Sequence, residues 1–97
     1  MQERIKLPLS NVRQAIQEVQ TGSLDLTVAK VMRTRWNLVI RFAKLKLRAE
    51  RLGMDDPLFG VKDGPSVDRS ELKEFQNLVK QLSKAISAAL DRAQWAA

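Results

Sequence analysis

Between Leu24 and Leu52 apolar side chains recur at steps of four and three, at Leu24, Val28, Val31, Leu38, Phe42, Leu45, Ala49 and Leu52, with Arg35 as the one interruption. That spacing is the period of an α-helix with a seam along one side. A second apolar row, Ala29, Met32, Trp36, Val39, Ile40, Ala43 and Leu47, lies beside the first. The remaining strip is basic: Lys30, Arg33, Arg41, Lys44, Arg48 and Arg51 stack on one side of a helix, and Asn37 is the neutral member among them. At about 1.5 Å rise per residue this helix is roughly 42 Å long and its basic strip roughly 32 Å. Whatever else the chain forms has to cover apolar rows on a long rod and leave the cations outside.

The flanking sequence supplies two more helices. The first is expected over residues 8–21, where Pro8 suits an opening turn, Ser10 can cap, and Val12, Ala15, Ile16 and Val19 form the stripe. Gly22 gives the backbone of a helix stop, and Ser23 or Asp25 can cap the long helix. So short a link predicts that helix 1 folds back antiparallel on the first part of the long helix. Gly53 ends the long helix and opens an irregular stretch over 53–66. Within it Asp56-Pro57-Leu58-Phe59-Gly60 suggests a single turn that sets Leu58 and Phe59 on the core, and Asp63-Gly64-Pro65 is a turn signal. A third helix is expected over 68–95, with Asp68 and Glu71 at capping-box spacing and an apolar face of Leu72, Phe75, Leu78, Val79, Leu82, Ala85, Ile86, Ala89 and Leu90. The fold class is all-α, a helical hairpin or bundle of one short and two long helices in a single domain over residues 1–97. Helix 1 is too short to cover both apolar rows of the long helix, so a homodimer is expected.

Residue types that are missing narrow the function. The chain has neither cysteine nor histidine. Disulfides and thiolate metal sites are therefore impossible, and the commonest general base and metal ligand is absent. The expectation is a non-enzymatic protein with no cofactor. Asp55 and Asp56, adjacent and just before Pro57, read as a helix stop and cap rather than as metal ligands or an acid and base pair. Small helical chorismate mutases also carry Arg and Lys on long helices, but those charges point inward beside a Glu or Gln, whereas here they fall opposite the apolar rows. No run is long and apolar enough for a membrane span, and the first residues do not resemble a signal peptide. The expected location is the cytoplasm, that of a host if the chain is viral.

Charge supplies the positive clue. The formal net charge is +6, and between Leu26 and Met54 eight Lys or Arg face the single acid Glu50, while the remaining residues nearly balance. Like charges at i and i+4 cost a few tenths of a kcal/mol per pair. Solvated helix faces interleave Glu with Lys, and this one has no acid from Leu26 to Ala49. Arginine fills four of the six strip positions, which suits bidentate contacts to phosphate. Trp36 is the one candidate stacking platform and reads better as a core or dimer anchor, so single-strand binding by base stacking is disfavoured. Arg35 reads either as a residue at a subunit edge paired to an acid or as one snorkelling past helix 1, and Trp95 as a cap of helix 3 against a neighbour. A rod of cations matches a duplex backbone. Double-stranded RNA is favoured over DNA, because a long flat helical face suits A-form shape better than it suits a compact major-groove reader. The alternative is a phage or bacterial assembly or regulatory adaptor whose basic helix docks on an acidic protein; an anionic membrane surface is a further possible partner.

The order of a short helix opening at Leu7-Pro8, a long helix with Arg41 and Arg48 one heptad apart, and Pro57 just beyond it resembles the nodavirus suppressors of RNA silencing over residues 7–62. Those are small all-helical dimers that lie along double-stranded RNA and shield it from the silencing nuclease. The resemblance implies that Arg41 and Arg48 contact the RNA backbone and that Lys30, Lys44 and Arg51 extend the contact. Helix 3 is longer and more apolar here than that family leads one to expect.

Overall fold

A computed structural model of the chain describes residues 6–52 and 67–96, except the side chains of residues 50, 52 and 94–96. The described residues form three helices and no strand: α1 (Leu9–Thr21), α2 (Leu26–Leu52) and α3 (Arg69–Ala96). The expected all-α class is what the chain adopts, as an elongated body of 54 × 21 × 17 Å. The turn expected over Asp56–Gly60, the Asp63-Gly64-Pro65 turn, Asp55 and the side chain of Trp95 lie outside the described residues.

Local chemistry sets the helix ends. Pro8 rather than Ser10 opens α1; its carbonyl accepts the N–H of Val12 at 3.2 Å, and no side chain caps this end. Gly22 closes α1 in the left-handed region, φ 76°, where its N–H reaches the carbonyl of Val19 and that of Ser23 reaches Glu18. This backward-bonded ending satisfies carbonyls that a helix leaves open. Asp25 caps α2, its Oδ1 accepting from the N–H groups of Thr27 and Val28 at 2.8 and 3.2 Å. Asp68 does the same for α3 toward Ser70 and Glu71, at 2.8 and 3.1 Å.

The core is organised by α3. Phe75 and Leu82 are fully buried, and Leu72, Leu78, Val79, Ala85 and Ile86 are buried around them. Their face is wide enough for two neighbours. Against it lie Val12, Ala15 and Val19 of α1 and Ala29, Trp36, Ile40 and Ala43 of α2, in one cluster that also holds Leu7 and Val67. At about 25 cal/mol per Å², each large side chain so buried contributes roughly 1.5–3 kcal/mol.

One expectation on packing is corrected. α1 does run opposite to α2, but its main neighbour along its length is α3, and α1 and α2 meet only slightly. Two polar contacts show the arrangement: the N–H of Leu7 donates to Oε1 of Glu71 at 3.0 Å, and Arg13 pairs with Glu74. Both join the start of α1 to the first turns of α3, so these two helices run parallel. The physical reason is the size of the α3 face, whose apolar residues exceed what one row of α2 can cover.

Candidate nucleic-acid interface

Viewed down its axis at 100° per residue, α2 divides into three sectors. The second apolar row faces the core: Ala29, Trp36, Ile40 and Ala43 are buried, and Met32, Val39 and Leu47 are half-buried against the same cluster. Trp36, at 9% exposure, is therefore a core residue and no stacking platform. Ala29 and Ala43 put small side chains on this buried row. The first row points elsewhere, and Val28, Val31, Leu38, Phe42 and Leu45 are between 41% and 54% exposed.

The third sector holds the basic strip. Lys30, Arg33, Arg41, Lys44, Arg48 and Arg51 fall within an arc of about 80° around the helix axis. Five of them are exposed; Arg33, at the core edge of the arc, is half-buried. Arg35 is exposed within the first apolar row, on the other side of the strip. Lys46 is wholly buried and takes no part. The strip is thus a single helix face with no acidic residue between Leu26 and Ala49 in the sequence.

At its C-terminal end the strip gains a member that periodicity could not supply. Lys44, Arg48, Arg51 and Leu47 line a recess together with Arg69, the first residue of α3. The antiparallel course of α2 and α3 brings it there. Arg69 follows the α3 cap immediately, so the recess also lies beside a helix N-terminus, whose partial positive charge favours anions. Arg69 belongs to another helix, and only the tertiary pairing of the helices assigns it to this face.

No group of acidic residues able to hold a metal ion occurs among the described residues, and no helix among them is long and apolar enough to cross a membrane. The face offers positive charge and hydrogen-bond donors. Such groups suit anions. No family model matches the chain, and neither a curated protein nor a solved structure matches it.

Proposed function

We propose that this protein binds nucleic acid without catalysis, through the phosphate backbone, using Lys30, Arg41, Lys44, Arg48 and Arg51 of α2 with Arg33 at their edge. The observation that carries the reading is the exposure of five cations along one face of one helix, in a sequence that has no acid from Leu26 to Ala49. Such a face is costly in an isolated protein and favourable beside a polyanion. Guanidinium forks fit phosphate oxygens in pairs, and the rod of roughly 32 Å keeps them in register with a regular duplex.

Double-stranded RNA is the favoured ligand. A straight helix that follows a surface reads shape, and A-form RNA is recognised by shape across its minor groove. The landmarks Leu7-Pro8, Arg41 and Arg48 support the most specific version, a suppressor of RNA silencing that shields double-stranded RNA. The test is an anisotropy titration against length-matched double-stranded RNA, double-stranded DNA and single-stranded RNA at two salt concentrations. Engagement of four to six phosphates predicts a log–log salt slope of roughly −4 to −5. Preference for double-stranded RNA supports shape reading, and equal binding of both duplexes makes the protein a general backbone binder. Absence of binding to all three at moderate salt removes the proposal in favour of an acidic protein partner.

A further inference from the structure

The basic strip of α2 has a counterpart on α3. Arg69, Lys73, Lys80 and Lys84 are all exposed and, at 100° per residue, fall within an arc of about 60°. Arg69 with Lys73, and Lys80 with Lys84, stand at i and i+4, where like charges repel. The acids of the first turns are engaged off this arc. Asp68 turns its Oδ1 onto the N–H groups of Ser70 and Glu71, Glu71 accepts from the N–H of Leu7, and Glu74 pairs with Arg13. No acid follows until Asp91, about two turns beyond Lys84.

The recess at the end of the α2 strip fixes the side on which this second row falls. Arg69 lines it together with Lys44, Arg48 and Arg51, so the arc that begins at Arg69 opens on the same side of the molecule as the α2 cations. Because the two helices run antiparallel, moving forward on α3 is moving back on α2. Lys80 and Lys84 lie about 16 and 22 Å beyond Arg69, level with the turns of α2 around Asn37 and Arg33. Lys84 also borders the groove between α1 and α3, which places the end of the row on the crest of α3. Gln76 and Ser83, which the same wheel sets between the row and α2, are half-buried and uncharged. Packed helices stand about 8–10 Å apart, so the two rows are separated by a distance on the order of a nucleic-acid groove, about 6–12 Å in B-form DNA.

We propose that α3 supplies a second cationic row, Lys73, Lys80 and Lys84 continuing from Arg69, that follows one strand of a duplex while the α2 strip follows the other. This rests on the backbone-binding reading and adds to it the element that selects two strands. A single line of phosphates satisfies one row, whereas the two backbones flanking a groove satisfy both. The division of residue types agrees with this. The α2 strip is mainly arginine, whose forks fix phosphate geometry, and the α3 row beyond Arg69 is lysine, a hydrated point charge that attracts a strand without setting its register.

The test uses the full chain and a double-stranded RNA of defined length. Lys73→Gln with Lys80→Gln and Lys84→Gln should weaken binding and lower the magnitude of the log–log salt slope by roughly 2–3, with helical circular dichroism unchanged. Lys6→Gln with Arg35→Gln and Arg92→Gln removes as much charge from exposed positions outside both rows and should lower it by less than about 1. An unchanged slope in the α3 variant, or an equal fall in the control, overturns the second row. If Arg41→Ala with Arg48→Ala still weakens binding in that case, the α2 reading stands alone; a parent that binds no duplex removes both. A second measurement tests the two strands directly, since the chain has no native cysteine. A photo-crosslinker placed through Asn37→Cys on the α2 strip and another through Asn77→Cys beside the α3 row, at exposed neutral positions, should together join both strands of one duplex to one chain. Attachment of one strand alone, where each single variant crosslinks, overturns the two-strand arrangement.

Discussion

The N–H of Leu7 donates to Oε1 of Glu71 at 3.0 Å, joining the segment that leads into α1 to the first turn of α3 across 64 residues of sequence. The contact is partly buried, and it sets the buried Leu7 side chain into the core cluster. Glu71 also lies in the first turn of α3, where a carboxylate is favoured by the helix dipole. Glu71→Ala should therefore cost about 1–3 kcal/mol in urea unfolding. Glu74→Ala, which removes the ion pair with Arg13, should cost no more than about 1 kcal/mol, because both side chains are half exposed. Equal losses in the two variants would show that the Leu7 contact does not anchor α1.

If α3 organises the core, the stability of the chain should depend on side chains in the order of their burial there. Leu82→Ala should cost about 2–5 kcal/mol and Phe75→Ala about 3–5 kcal/mol, enough to unfold much of a small domain. Leu38→Ala, at a position 44% exposed on α2, should change unfolding of the single chain by less than about 1 kcal/mol. Denaturant midpoints of the three variants at low protein concentration check the ranking. A large loss at Leu38 under those conditions would mean that the seam is already covered within one chain.

How much of this arrangement the sequence announces depends on the range of the interaction. Helix period, the Gly22 stop and the aspartate caps Asp25 and Asp68 are set by neighbours a few residues away, and a linear reading finds them. Which apolar row of α2 faces inward is a different matter. Both rows have helical period, and the row that holds Ala29, Trp36, Ile40 and Ala43 is the one that joins the core, a choice that depends on the other helices. The same limit explains why α1 was expected on α2: its stripe fits either neighbour, and the width of the α3 face decides. Among the candidate site residues, five keep the exposed positions that the period implies. Arg33 turns partly toward the core, Lys46 is buried, and Arg69 joins the strip from another helix.

Gly22 is a position where backbone conformation alone should set the cost of substitution. Its φ is 76°, and a Cβ placed there meets nothing within 4 Å. Gly22→Ala should therefore destabilise by about 1 kcal/mol, the penalty of a left-handed conformation, with no steric addition. Gly22→Asn should recover part of that loss, because asparagine visits this region more readily. Thermal unfolding of the two variants distinguishes a conformational cost, which asparagine relieves, from a packing cost, which it would increase.

Arg69 provides the sharpest check on the proposed backbone interface, because it joins the recess only through the fold. If the recess that it lines with Lys44, Arg48 and Arg51 receives a phosphate, Arg69→Ala should weaken duplex binding and reduce the magnitude of the salt slope by about 1. Arg41→Ala with Arg48→Ala should reduce it by about 2, again without loss of helix, since both side chains are exposed. Arg92 is the control: it is also an exposed arginine on α3, but it lines the groove between α1 and α3 near the other end. Arg92→Ala removes the same unit of net charge from the same helix. Should it lower the slope as much as Arg69→Ala, affinity would follow the overall charge of the protein and not the α2 face. A loss confined to Arg69, Arg41 and Arg48 would instead trace the path of the duplex along α2 and onto the first turn of α3.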